Sequence, residues 1–373
     1  MDLLFFDPIP WDYDVSTPAE RPLGGSQSAL CYLAAELVRR GHQVSLVNHV
    51  PNAREVQGVR CIPERELTAD LLAQSRDAVI VLNGPADLGP QLRRYLPPCT
   101  SLVLWTQHSY DQPAVASLQQ PEVRAAWDRV VCISAWQRDR YLEKFPLDLN
   151  RLSILRNAIA PTFEQLFTSP ADLIQAKPAH PVLAYTSTPF RGLNVLAAVF
   201  RPLHQEFPDA ELQVYSSMKV YHVPEESDQF TGLYERCRSV PGGRYFGSIS
   251  QRDLAVALRG ATILSYPNTF AETSCIAVME AMAAGAHVVT TDLGALPETT
   301  LGRATLVPPM QNNDATAFGS QYYQVLRSVL ATWRKDPANF AAAQFEQVRE
   351  INASCTWSAR AREWESVLPS WKS

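Results

Sequence analysis

The sequence predicts an α/β protein made of two doubly wound domains, each with a parallel sheet and helices on both of its faces. Three observations predict it. Apolar runs of strand length alternate with longer helical patterns along almost all of the chain, and that alternation implies parallel sheets. The chain has 373 residues, enough for two domains at roughly 100–200 residues each. A segment with weak periodicity and four prolines, Pro161, Pro170, Pro178 and Pro181, divides the pattern into two halves. The expected domains are residues 1–165 and 178–354, followed by a C-terminal helix over 355–373.

Taken in order, the first half should hold strands at Leu3–Phe6, Gln43–Val47, Gly58–Ile62, Ala78–Leu82, Ser101–Trp105, Arg129–Ile133 and Leu152–Leu155. Between the first two, Ser26–Arg40 places Leu30, Leu33, Ala34, Leu37 and Val38 on one face and stops at Gly41, which reads as an amphipathic helix. Ser134-Ala135-Trp136-Gln137 opens another helix with a capping box. The second half should hold strands at Val182–Thr186, Glu211–Tyr215, Arg244–Phe246, Thr262–Tyr266, His287–Thr291 and Thr305–Val307. Its helices fall at Leu193–Glu206, Gln251–Arg259, Ser274–Ala284 and Asp314–Thr332. The tail after Ser354 carries Trp357, Trp364, Leu368 and Trp371. Three tryptophans on one short helix predict docking, with Trp357 and Trp364 packing it back on the first domain.

Composition narrows the function. Hydrophobic residues are 46% and charged residues 19%, so the chain is globular rather than disordered. A net charge of -5 argues against nucleic acid as a partner. No apolar run approaches the 18 residues that a membrane span needs. The start, Met1-Asp2-Leu3-Leu4-Phe5-Phe6-Asp7-Pro8, lacks the basic and long apolar regions of a signal peptide. The seven cysteines are scattered without a Cys-x-x-Cys, which argues against a zinc site or redox dithiol. The expectation is a cytoplasmic protein with no resident cofactor and no metal.

In open parallel sheets ligands bind beyond the carboxyl ends of the strands, and two such domains facing each other would form a cleft. Residues just after strands are therefore the candidates. Phe270–Gly285 is the most informative stretch. A strand ends at Pro267, a short loop follows, and a helix then runs to Gly285. Glu272 lies at the loop-to-helix junction, where the N–H groups of Thr273, Ser274 and Cys275 would favour an anion such as phosphate. Glu280 lies eight residues on, about two turns along the helix, so the two carboxylates could meet the end and the middle of an elongated ligand. The alternative is dipole compensation by Glu272 and a solvated surface position for Glu280.

These residues carry a resemblance. Glu272-x7-Glu280, the following Ala-Met-Ala-x-Gly, and Asp292-Leu293-Gly294-Ala295-Leu296-Pro297-Glu298 resemble the retaining glycosyltransferases of family 4, which have the GT-B fold. Gly24-Gly25, His108, Val131–Ser134, Ile154–Ile159 and Ala184–Thr188 with Arg191-Gly192-Leu193 fall in the family's order along nearly the whole chain. The resemblance implies two Rossmann-like domains across a cleft, the first on the acceptor side and the second holding a nucleoside-diphosphate sugar. It implies Glu272 as acceptor for hydroxyls of the donor sugar and Glu280 for those of the ribose, since an ionised carboxylate is a pure acceptor. Ser274 and Cys275 would meet the distal phosphate, and Ser248 and Ile249 the base. Arg191 would pair with the diphosphate, while Gly24 and Gly25 would let backbone approach the reaction centre.

His108 would line the sugar pocket, with plain packing as its alternative. The catalytic set implied is thus His108, Arg191 and Glu272. Trp11 and Tyr13, in the loop Pro10–Leu23, would face the acceptor or pack as a surface loop. Relatives usually carry Arg and, five residues later, Lys; this chain has Thr186 and Arg191 there, so one cation serves in place of two. The implied reaction moves a hexosyl group, from a UDP-sugar by preference, to a hydroxyl acceptor (glycan, lipid, protein or small molecule) without a metal. A GT-B epimerase and a non-catalytic sugar-nucleotide-binding scaffold are the alternatives. Arg39-Arg40 or Arg93-Arg94 would give at most peripheral membrane contact.

Overall fold

The computed structural model describes residues 1–371. Contacts divide the chain into two compact units. The first comprises residues 1–18, 24–158 and the tail from Trp357 on; the second comprises 19–23 and 159–356.

The sheet of the first unit holds β1 (Asp2–Phe6), β2 (Gln43–Asn48), β3 (Arg54–Val56), β4 (Val59–Pro63), β5 (Ala78–Leu82), β6 (Ser101–Trp105), β7 (Arg129–Cys132) and β8 (Leu152–Ile154). Their order is β3-β4-β2-β1-β5-β6-β7-β8. All neighbours are parallel except β3 with β4. The sequence pattern did not reveal β3, because its three residues, Arg-Glu-Val, have no apolar run. What makes it a strand is the turn: Gln57 and Gly58 have φ of 52° and 78°, and two consecutive left-handed residues suit a tight hairpin.

The second sheet holds β9 (Val182–Tyr185), β10 (Glu211–Val214), β11 (Gly243–Tyr245), β12 (Ile263–Tyr266), β13 (His287–Thr291) and β14 (Thr305–Val307). It is wholly parallel, in the order β11-β10-β9-β12-β13-β14. The chain builds outward from β9 to β11, then returns to the other side of β9 with β12. The β9/β12 neighbourhood is therefore a topological switch point, where open sheets part their loops and bind ligands.

The proline-rich segment expected as a boundary belongs to the second unit. Phe167 and Leu173 are buried with Ala341 and Val348, which lie on the helix Pro337–Ser354. Sequence periodicity missed that helix because its buried side includes Gln344 and Gln347. Gln347 is satisfied by donating to the carbonyls of Met282 and Ala286 at 3.1 and 3.0 Å. Asp336 caps its start by accepting from Asn339 N–H at 3.0 Å, with Pro337 in the first turn.

In the first unit the tail forms the helix Trp357–Val367 and a short 3-10 turn, Leu368–Trp371. The Trp364 ring meets Trp105 edge-on at 5.3 Å, and Trp357 meets Tyr32 at 6.3 Å. Arg360 donates to the Asn157 carbonyl at 3.1 Å, and Glu365 accepts from Arg40 at 2.6 Å. Lys372 and Ser373, the end of the tail segment expected from sequence, lie outside the described residues. Among the described residues no helix is long and apolar enough to cross a membrane.

Candidate functional site

Two loops leave the second sheet at its switch point. The first runs from β9 to the helix Leu193–Glu206 through Thr186, Thr188, Arg191 and Gly192. Gly192 sits at φ +108°, and a Cβ there would lie 2.0 Å from the Pro267 carbonyl oxygen. Only glycine lets this loop press against the loop leaving β12. The second loop is Pro267–Cys275. Asn268 folds it, accepting from Phe270 N–H at 3.0 Å, while its backbone carbonyl accepts from Thr291 Oγ1 at 3.0 Å.

Arg191 and Glu272 meet where the loops touch. Arg191 Nη1 donates to Glu272 Oε1 at 2.6 Å, and Tyr266 OH donates to the same oxygen at 2.6 Å. The guanidinium lies 4.6 Å from the Phe270 ring centre and 5.5 Å from that of Phe190, a cation–π setting. Burial disfavours the charge on Arg191, but the adjoining Glu272 carboxylate overrides it and holds the arginine above its usual pKa. Glu272 itself is fixed through its backbone. It bridges to Gly294, and its carbonyl accepts from Ala295 N–H at 2.7 Å. At Gly294, φ +68°, a Cβ would lie 2.4 Å from that carbonyl. The Gly294-Ala295 pair after β13 thus has a local reason: it braces Glu272.

From Glu272 the chain passes Thr273 and Ser274 to Cys275, the residue that precedes the helix Ile276–Ala283. Glu280 lies on that helix and is 2% exposed, not a solvated surface residue. It accepts from Ala160 N–H at 3.2 Å. Burial lifts its pKa to about 8, against the lowering effect of that hydrogen bond. Because the folded state binds this proton more tightly than the unfolded chain, stability falls as pH rises from about 4.5 to about 8. Glu280→Gln should flatten that part of a pH series of urea unfolding curves; an unchanged slope would place the titration elsewhere. Ser248 and Ile249 are half-buried just past β11, with Ser248 Oγ 2.7 Å from Ser217 Oγ. Thr186 Oγ1 and Thr188 Oγ1 are buried and find no hydrogen-bond partner among the described residues.

In the first unit the candidates follow β1 and β6. Gly24 is buried at the cap of the helix Gly25–Arg39, and a Cβ there would lie 2.9 Å from Gln27 Oε1 and 3.2 Å from the Trp11 ring. Gly25 is exposed and Trp11 half-buried. Tyr13 is fully buried, its OH donating to Asp7 at 2.6 Å. Its ring is packed interior and offers no stacking face, which corrects the expectation that it would meet an acceptor. Asp7, an unforeseen buried carboxylate, also accepts from Gln27 at 3.0 Å, and burial raises its pKa to about 6. His108 has both ring nitrogens engaged, Nδ1 with Gln112 and Nε2 with the Asn83 carbonyl at 3.1 Å.

The second unit thus assembles Arg191 and Glu272 directly. Sequence reasoning missed Tyr266, Phe190 and Phe270 around them. The available signal was position: Tyr266 ends its strand and Phe270 shares a loop with Glu272. A separate cavity of about 520 Å³ lies at the amino ends of β9 and β10, lined by Lys177, His180, Glu211 and Arg244 among others. Its Glu211 is paired with Arg244 at 3.2 Å, and Lys177 donates to the carbonyls of Ala261 and Ala284.

Two wholly or largely parallel sheets in these strand orders match, along 99% of the chain, solved structures that have the GT-B fold. Residues 181–328, all within the second unit, match the family model described as Glycosyl transferases group 1. HepE from Anabaena, solved in complex with UDP-glucose, superposes at a TM-score of 0.69 with 12% identity, covering 99% of this chain and 100% of that one. The chain is 22% identical over 308 residues to one component of human phosphatidylinositol N-acetylglucosaminyltransferase, covering 74% of this chain and 60% of that protein. It is 30% identical over 186 residues to phosphatidyl-myo-inositol mannosyltransferase of Mycobacterium tuberculosis, covering 49% and 45%. The chain therefore spans about half the length of the curated relatives it matches.

Proposed function

We propose that this protein is a retaining glycosyltransferase of family 4. It moves a hexosyl group from a nucleoside-diphosphate sugar, UDP-linked by preference, to an acceptor hydroxyl, and needs no metal. The observation that carries the reading is the Arg191–Glu272 pair at the β9/β12 switch point. A permanent cation beside a helix N-terminus suits a diphosphate, and a buried carboxylate suits sugar hydroxyls. The group 1 family match and the likeness to a UDP-glucose complex support the same reading.

In this scheme Arg191 and the amino end of Leu193–Glu206 stabilise the departing diphosphate, which takes the acceptor's proton on the face it leaves. The protein supplies position and charge. Glu272 holds the donor sugar. Glu280 keeps Ala160 on one side of its carboxyl and takes ribose hydroxyls on the other, while Ser248 and Ile249 meet the base. Ser274 and Cys275 lead into the second helix N-terminus, beside the distal phosphate. On the first unit, Gly24, Gly25 and His108 serve the reaction centre, and Trp11 supplies a ring for the acceptor.

Thermal unfolding with UDP, GDP, ADP and their glucose, mannose and N-acetylglucosamine conjugates, in EDTA, tests this. A ligand at 100 times its Kd adds about 2.7 kcal/mol, which moves the midpoint by roughly 5–10 °C for a unit of this size. One nucleotide should produce such a shift, and Arg191→Ala should lose it. No shift with any of them would move the assignment to a non-catalytic scaffold, the reading that Thr186 in place of a second cation favours.

A further inference from the structure

We infer that Tyr266 is the positioning residue of Glu272, holding one carboxylate oxygen so that the other is offered to a single hydroxyl of the donor sugar. This rests on the donor site proposed above. The two strong donors at Glu272 converge on one atom. Arg191 Nη1 and Tyr266 OH both donate to Oε1 at 2.6 Å, while no hydrogen bond to Oε2 is found among the described residues. A carboxylate held by one donor can swivel between its two equivalent oxygens. Two donors at one oxygen, Arg191 from the loop after β9 and Tyr266 from the end of β12, fix the plane of the carboxylate and leave the other oxygen for a ligand hydroxyl.

The phenol is itself directed. Ser187 Oγ donates to the Tyr266 oxygen at 3.3 Å, so the single phenolic proton is committed to Glu272. The Tyr266 ring is 2% exposed and packs edge-on against Tyr185 at 5.8 Å. Tyr185 is in turn tied by its OH to the Thr188 carbonyl at 2.7 Å. The chain Ser187–Tyr266–Glu272 therefore runs from the exit of β9 to the loop after β12, entirely through directed hydroxyl donors. Charge-assisted bonds of this kind are shorter and roughly twice as strong as neutral ones. Tyr266 reaches no ligand in this scheme; it acts through Glu272.

The role separates the sugar from the nucleotide, and the test uses that separation. Titration calorimetry would compare wild type, Tyr266→Phe and Ser187→Ala, using UDP, GDP and ADP and their glucose conjugates, and following the pair that wild type binds. Tyr266→Phe removes one oxygen without opening a cavity. It should weaken the glucose conjugate about tenfold, or about 1.4 kcal/mol, and leave the bare diphosphate within twofold. Ser187→Ala should show a smaller loss with the same selectivity, and it keeps the question open to measurement if the phenylalanine variant folds poorly. Equal weakening of both ligands would mark Tyr266 as merely structural and overturn the inference, as would an unchanged affinity for the conjugate. If wild type binds no bare diphosphate, the donor site itself is wrong. If it binds diphosphates and the variants show no selectivity, only the positioning role fails.

Discussion

Arg191→Ala should cost about 3–5 kcal/mol of stability, the usual effect of leaving one member of a buried pair without its partner. Glu272 keeps only 4% of its side chain exposed, so its charge has little access to water once the guanidinium is gone. The Tyr266 hydroxyl alone cannot replace a full cation. Urea unfolding would read this as a lower midpoint with an unchanged slope. Nucleotide binding should be lost as well, and that loss must be separated from the stability effect. Arg191→Met with Glu272→Gln removes both charges and retains bulk. It should recover most of the stability, because no buried charge is left unpaired, and recover none of the binding. A double variant as unstable as Arg191→Ala would show that the pair matters through packing on Phe190 and Phe270 rather than through charge.

The second large effect is expected at Gly192. Gly192→Ala places a Cβ 2.0 Å from the Pro267 carbonyl oxygen and 2.8 Å from its carbonyl carbon, at a φ of +108°. Backbone rather than a flexible side chain stands in the way, so the loops after β9 and β12 must separate. Strain of about 1–3 kcal/mol from the conformation alone adds to the clash. Gly302 supplies the comparison. It has φ +71° with nothing within 4 Å of a Cβ, so Gly302→Ala carries strain without collision, about 1–2 kcal/mol. Gly192→Ala should therefore unfold at a clearly lower temperature than Gly302→Ala. It should also bind nucleotide weakly in the folded fraction, since Arg191 precedes the displaced residue. Equal midpoints for the two variants would mean that the loops part without cost.

Much of this was legible in the sequence, for physical reasons that differ by element. Buried parallel strands such as β5 and β6 are continuous apolar runs, and a helix such as Leu193–Glu206 repeats its apolar face. Both patterns survive without knowledge of the fold. The strand β3 and the helix Pro337–Ser354 did not show, because a turn conformation defines the first and buried glutamines break the pattern of the second. The place of Arg191 and Glu272 followed from their position after strands. Their direct pairing did not, because the order of β9 and β12 in the sheet sets it and nothing local announces that order. Tyr13 shows the same limit: a polar loop sequence hid the buried Asp7 that draws its hydroxyl inward. The sequence around Glu280 is compatible with a ligand-facing or a solvated carboxylate; packing, which no local pattern announces, buries it against Ala160 N–H.

The most direct measurement is a crystal structure of the protein with the nucleoside diphosphate that the thermal titration selects. The account predicts the diphosphate against Arg191 and the amino end of Leu193–Glu206, the ribose at Glu280, and the base beside Ser248 and Ile249. A nucleotide lodged instead among Lys177, His180 and Arg244, at the opposite ends of the same strands, would contradict it.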